Sequence, residues 1–112
     1  MKNGHISISV KNYNNWCIIS ITGEFIIQNL FKVKHVFDKV EHNNNLLIAL
    51  DLGATTYLDS SAITTILNFH KRCSSRGGTL VLMRLNKDIE EIISILGIDK
   101  YIKISEDLDQ KT

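Results

Sequence analysis

The sequence predicts an α/β fold, with a single mixed four- to five-stranded β-sheet covered by three or more α-helices. Three observations carry that expectation. Ile6, Ile8 and Val10 alternate with Ser7, Ser9 and Lys11 at period two, and two apolar runs follow at Leu46–Leu50 and Leu80–Met83. Three further segments repeat apolar residues at helical spacings of three and four. Strands alternating with amphipathic helices define a mixed sheet built by βαβ crossovers, expected to be right-handed.

Taken in chain order, the alternation at Ile6–Lys11 reads as a strand with one face buried and one wet, suited to a sheet edge. Asn12-Tyr13-Asn14-Asn15 is a turn-forming run, and Trp16-Cys17-Ile18-Ile19-Ser20-Ile21 follows as the second strand of an antiparallel hairpin, closed by Thr22-Gly23-Glu24. Asn29 is placed to cap a helix in which Leu30, Val33, Phe37 and Val40 face the sheet, leaving Lys32, Lys34, Asp38 and Lys39 to solvent. Asn43-Asn44-Asn45 ends it. Leu46-Leu47-Ile48-Ala49-Leu50 calls for a central parallel strand covered on both faces.

A loop over Asp51–Asp59 then leads into a second helix from Ser60 to Ser75, with Ile63, Ile66, Leu67, His70 and Cys73 along one side. Arg76-Gly77-Gly78 stops that helix, because glycine supplies the positive φ of a C-cap, and Thr79-Leu80-Val81-Leu82-Met83 begins a second buried strand. Asn86 is the expected cap of a third helix carrying Ile89, Ile92, Ile93 and Leu96, with Asp88, Glu90 and Glu91 near its positive end and Gly97 at its stop. Tyr101-Ile102-Lys103-Ile104 is read as a short last strand. Residues 1–104 are expected to form one domain, and the acidic tail 105–112 to fray.

With 112 residues, 44% hydrophobic and 22% charged, the chain suits one soluble core and not a disordered segment. The formal net charge is +1, from 13 basic and 12 acidic residues spread along the chain, so no electrostatic footprint for nucleic acid or anionic lipid is present. No stretch is long enough to insert into a membrane and Met1–His5 lacks a signal-peptide core, which makes a cytoplasmic protein the expectation. Cys17 and Cys73 each lie in an apolar segment and are expected as reduced core thiols.

Function concentrates in Asp51-Leu52-Gly53-Ala54-Thr55-Thr56-Tyr57-Leu58-Asp59-Ser60-Ser61-Ala62. The segment leaves the carboxyl end of a buried parallel strand and enters a helix N-terminus, where free N–H groups favour an anion such as a phosphoryl group. Asp59, Ser60 and Ser61 also suit a plain helix start, and residue type alone does not separate the two readings.

The order of the segment resembles the signature of STAS domains, including bacterial anti-sigma-factor antagonists. The resemblance extends over nearly the whole chain, through Thr22-Gly23-Glu24, the strand ending at Asp51, Tyr57-Leu58-Asp59-Ser60-Ser61, Arg76-Gly77-Gly78 and Leu96-Gly97-Ile98. It implies a STAS fold and a non-enzymatic phosphoswitch. Ser60, the first serine after the aspartate, is then the phosphorylated residue, with Ser61 the second choice. The implied partner is an anti-sigma factor that is also a serine kinase with an ATP-binding domain. It is bound when Ser60 is unmodified and released on phosphorylation, so that transcription is regulated by partner switching. A PP2C-type phosphatase acting on phospho-Ser60 is implied as well. The other use of the module is a STAS interaction subunit of a different complex, such as a lipid-transport ABC system, not controlled by phosphorylation.

Two departures from the family pattern are visible. Ala62 stands where the family usually has glycine, and Phe25-Ile26-Ile27 occupies a loop where antagonists commonly carry an aspartate. Ile26 and Ile27 either continue the core or form an apolar contact patch beside Ser60. The expected partner surface therefore comprises Asp59, Ser60, Ser61, Ala62, Ile26 and Ile27. No cofactor is expected, and no metal, since His5, His35 and His42 lack ligand spacing. No Gly-x-Ser-x-Gly elbow accompanies Ser60, and His70 lies on the apolar side of its helix, so a hydrolase is not expected.

Overall fold

The computed structural model describes residues 5–106 and residue 108. Strands β1 (Ile6–Tyr13) and β2 (Trp16–Phe25) form an antiparallel hairpin in unbroken register from Ile6↔Gly23 to Tyr13↔Trp16. The connection is shorter than the expected four-residue turn. Only Asn14 and Asn15 remain outside the strands, at φ 49° and 71°, a pair of positive angles whose twist matches that of the flanking strands and which asparagine tolerates.

Thr22-Gly23-Glu24, expected to close the hairpin, lies instead within β2, where the chain bends. Gly23 has φ 107°, and a Cβ there would lie 2.0 Å from the His5 carbonyl oxygen, so no other residue fits. Beyond it the helix α1 (Leu30–His42) buries Val33, Phe37 and Val40, the residues picked out by spacing. Asn29 sits at its N-cap position without capping. Its Nδ2 donates to the Glu24 carbonyl oxygen at 2.7 Å, tying the helix start back to β2.

The sheet runs β1-β2-β3-β5-β6, with β3 (Leu47–Asp51), β5 (Thr79–Met83) and β6 (Lys103–Ile104) parallel to their neighbours. The centres of β3 and β5 are buried on both faces, as their continuous apolar runs require, whereas Leu46 and Leu47 at the start of the first run are exposed. Among the described residues six strands are present, where four to five were expected. The extra one is β4 (Thr55–Leu58), which pairs in parallel with the end of β2 through Gly23↔Thr55, Glu24↔Tyr57 and Phe25↔Leu58. It lies inside the segment read as a loop, and its Thr-Thr-Tyr-Leu sequence shows neither alternation nor an apolar run.

Helix α2 spans Ser60–Ser75, the bounds read from sequence, and buries Ala62, Thr65, Ile66, Phe69 and Cys73. Phe69 stacks on Phe37 of α1 with ring centroids 4.0 Å apart. At its end Gly77 takes φ 80°, and the Gly78 N–H donates to the Cys73 carbonyl oxygen at 2.8 Å, closing the helix as a glycine C-cap does. Helix α3 (Lys87–Ile95) starts at Asn86, whose Oδ1 accepts from the Ile89 N–H at 3.0 Å. Cys17 and Cys73 are free and buried, and burial pushes both thiols above their ordinary pKa. The Ser105 N–H donates to the Leu82 carbonyl oxygen at 2.8 Å, and most of the tail 105–112 lies outside the described residues.

Candidate functional site at the start of helix 2

Pairing of β4 with β2 carries Asp59 to the loop that follows Phe25. The Asp59 N–H donates to the Phe25 carbonyl oxygen at 3.3 Å, and its carboxylate reaches in two directions. Oδ1 accepts from the Ala62 N–H at 3.0 Å and from the Ser61 hydroxyl at 2.6 Å, which caps α2. Oδ2 accepts from the Ile27 N–H at 2.9 Å, which holds a loop 32 residues away in sequence. Partial burial of the carboxyl acts to raise its pKa, but hydrogen bonds from the Ser61 hydroxyl and from the Ala62 and Ile27 N–H groups outweigh it, and the acid is held below its ordinary value. Asp59 is therefore a clasp between two segments, ionised at neutral pH.

The two serines differ in what they are free to do. Ser60, the first residue of α2, is exposed. Ser61 is half-buried with its hydroxyl committed to Asp59, and its carbonyl oxygen accepts from the Thr65 hydroxyl at 2.8 Å. Ser60 faces solvent, whereas reaching the Ser61 hydroxyl means breaking its bond to Asp59. Ala62 is fully buried, so its methyl group points into the core and not towards a partner. Its part in the site is the N–H that Asp59 holds.

Ile26 and Ile27 are split between the two expected alternatives. Phe25 is fully buried and Ile26 half-buried, so the core ends there, while Ile27 is 64% exposed and joined to Asp59 through its N–H. Two exposed aromatics also lie near these segments in sequence, Phe31 one helical turn beyond Ile27 and Tyr57 two residues before Asp59. Phe31 was not singled out from sequence. The available signal was an aromatic residue at a position that the Leu30-Val33-Phe37-Val40 spacing leaves to solvent.

A second polar group stands farther along the carboxyl edge. Asp51 Oδ1 accepts from the Gly53 N–H at 2.9 Å and lies 3.4 Å from Arg84 Nε, stitching the ends of β3 and β5 together. Asn86 adds to this, its Nδ2 donating to the Thr55 carbonyl oxygen at 2.7 Å and so bracing β4 from the far side. Among the described residues, no group of three or more His, Cys, Asp or Glu side chains is placed to hold a metal ion, and no helix is long and apolar enough to cross a membrane.

A small mixed sheet with a serine presented at a helix start by a capping aspartate defines a class of α/β module. The model of the STAS domain matches residues 7–111, and the chain belongs to the STAS domain family. It is 34% identical over 89 residues to a candidate anti-sigma factor antagonist of Thermotoga neapolitana, a match covering 78% of both chains. The crystal structure of a candidate anti-sigma factor antagonist of Thermotoga maritima superposes with a TM-score of 0.80 at 27% identity, covering 90% of this chain and 87% of that one. The Bacillus cell fate determinant SpoIIAA in its phosphorylated form shares the fold, with a TM-score of 0.69 at 11% identity over 90% of this chain and 93% of that one.

Proposed function

We propose that the protein is a cytoplasmic, non-catalytic anti-sigma-factor antagonist that binds a serine kinase of the anti-sigma class when Ser60 is unmodified and is released when Ser60 is phosphorylated. A PP2C-type phosphatase acting on phospho-Ser60 resets the cycle. The observation that carries this reading is the division of labour at the start of α2, with Ser60 exposed and Ser61 bonded to Asp59 at 2.6 Å. Relatives named as candidate anti-sigma factor antagonists, and a structural neighbour solved in a phosphorylated form, support it.

Asp59, Ser60, Ser61 and the Ile26-Ile27 loop form the partner surface, with the buried Ala62 beneath it. Phosphorylation adds a charge of about −1.5 to −2 next to the ionised Asp59, and unit charges 4 Å apart at an effective dielectric near 20 repel by about 4 kcal/mol. Water and the helix dipole offset part of that. A differential of roughly 3 kcal/mol at the interface still changes affinity by about two orders of magnitude.

The test uses the purified protein, ATP and an anti-sigma serine kinase from the same organism. Mass spectrometry is expected to place the phosphate on Ser60, with no product from Ser60→Ala. In a pull-down with the kinase, Ser60→Asp is expected to lose binding that the unmodified protein keeps. Phosphate on another residue, or equal binding by Ser60→Asp, refutes the switch and leaves a STAS interaction subunit of another complex.

A further inference from the structure

The free edge of the sheet carries a pattern that one copy of the chain does not use. β1 is the outermost strand, eight residues long, paired to β2 without a bulge from end to end. Sheet edges are ordinarily blunted by proline, bulges, shortness or several charges, and β1 has only Lys11 among these devices. The opposite edge, β6, has two residues, one of them Lys103.

Side chains on β1 add a second observation. Ile6, Ile8 and Val10 share the face that bears the core, and Ile6 and Ile8 pack against it, but Val10 is 46% exposed. The apolar alternation thus runs past the end of the core that would justify it. Backbone geometry supplies the third. The two-residue turn makes Tyr13↔Trp16 a hydrogen-bonded pair, and the Glu24 N–H donates to the His5 carbonyl oxygen at 3.2 Å, so odd-numbered residues of β1 aim their polar groups at β2. Ile6, Ile8, Val10 and Asn12 therefore aim theirs outwards.

We propose that the protein forms a two-fold dimer in which β1 pairs antiparallel with β1 of a second copy, making one continuous sheet. The strand is self-complementary in the register centred on Ser9. Ser9 then faces the second copy's Ser9 as a non-hydrogen-bonded pair, and Ile8 meets the second copy's Val10 on the core face. Lys11 meets the second copy's Ser7, so the sole charge on the strand faces a hydroxyl and not its own copy. The outward-facing residues, Ile6 to Asn12 and Ile8 to Val10 in both directions, form four hydrogen-bonded pairs with about two bonds each. A foreign strand would need this same alternation and a partner for Lys11, which the second copy already has. β4 and the start of α2 attach at the other edge of β2, so each copy keeps its Ser60 loop clear of the seam.

Sedimentation velocity of the purified protein from low to high micromolar concentration is expected to show the mass moving from 12.7 kDa towards twice that value. Val10→Pro removes an outward N–H at an edge, where proline is tolerated, and is expected to yield a folded monomer. Val10→Lys is expected to do the same without touching the backbone. Ser9→Cys is expected to cross-link under mild oxidation, because residues in such a pair have Cα atoms about 4.5 Å apart, within disulfide range. Ser7→Cys, about 13 Å from its counterpart in this register, is not. Cys17 and Cys73 are buried and do not compete. A monomer at every concentration, a dimer indifferent to both Val10 variants, or faster cross-linking through Ser7→Cys overturns the proposal.

Discussion

Replacing Asp59 by alanine tests the clasp directly. The variant loses the acceptor for the Ala62 N–H at 3.0 Å, the Ser61 hydroxyl at 2.6 Å and the Ile27 N–H at 2.9 Å. Loss of an aspartate N-cap costs about 0.5–2 kcal/mol, and the Ile27 N–H is exposed enough for water to replace its partner, so a total of about 1–2 kcal/mol is expected. In thermal unfolding this corresponds to a drop of roughly 5–10 °C for a domain of this size. The pH dependence has a defined sign. The folded-state pKa of Asp59 is lowered, so its charge-dependent contribution is fully present above the unfolded value of about 3.9 and is lost as pH falls through the folded value. The gap between wild type and Asp59→Ala in urea unfolding should therefore be constant near neutrality and narrow below about pH 4. Asp59→Asn, which presents an N–H to one of the two N–H groups the carboxylate now serves, should fall between them. Hydrogen exchange should show the Ile27 amide deprotected in Asp59→Ala. Unchanged stability at pH 7, or an Ile27 amide that exchanges as in wild type, refutes the reasoning.

Other perturbations separate fold from surface. Gly23→Ala forces a methyl group against the His5 carbonyl oxygen at φ 107° and is expected to destabilise the hairpin by about 2–3 kcal/mol, read by urea unfolding. Phe69→Ala removes one of two stacked, fully buried rings joining α1 to α2 and is expected to cost about 3–5 kcal/mol in the same assay. Ile27→Glu changes a 64% exposed side chain and is expected to leave stability within about 0.5 kcal/mol while weakening kinase binding in the pull-down.

Most of the architecture was legible because the core segments carry strong periodic patterns. Helix α2 could be bounded at Ser60 and Ser75 because Asp59 and Gly77 are chemically suited to the two ends of a helix. What escaped has local physical causes. β4 is four residues long, with Thr56 and Tyr57 exposed, and exists because the bend at Gly23 brings the end of β2 alongside it. Its pairing is a tertiary fact with no periodic trace. Asn29 has a capping residue's chemistry, yet the Glu24 carbonyl oxygen competes for its side chain. At the site, Asp59 and Ser60 were visible as residues, but the bond from Ile27 to Asp59 spans 32 positions, and no sequence period reports a contact of that kind.

That long-range bond bears on where the energy of a phosphoryl group at Ser60 would appear. Two routes are open to a repulsion beside Asp59 of about 4 kcal/mol per unit of phosphoryl charge before water and the helix dipole offset it, namely lifting the start of α2 off the sheet or acting on whatever docks against it. Lifting α2 exposes Ile66 and Phe69, which are buried to within 1%, at roughly 1.5–3 kcal/mol for each large apolar side chain. It also breaks the Asp59 cap and frees the loop at Ile27. Ser60 is exposed, so water screens the repulsion, whereas those losses are suffered in full; the fold therefore holds and the charge remains at a fixed place on the surface. A binding partner that must desolvate the same place, beside an exposed Ile27, meets the full change. Under the proposed function, a rigid platform makes Ser60 a switch of affinity and not of conformation. Under this argument the phosphorylated and unmodified forms should superpose in their amide exchange over α2 while differing in kinase binding.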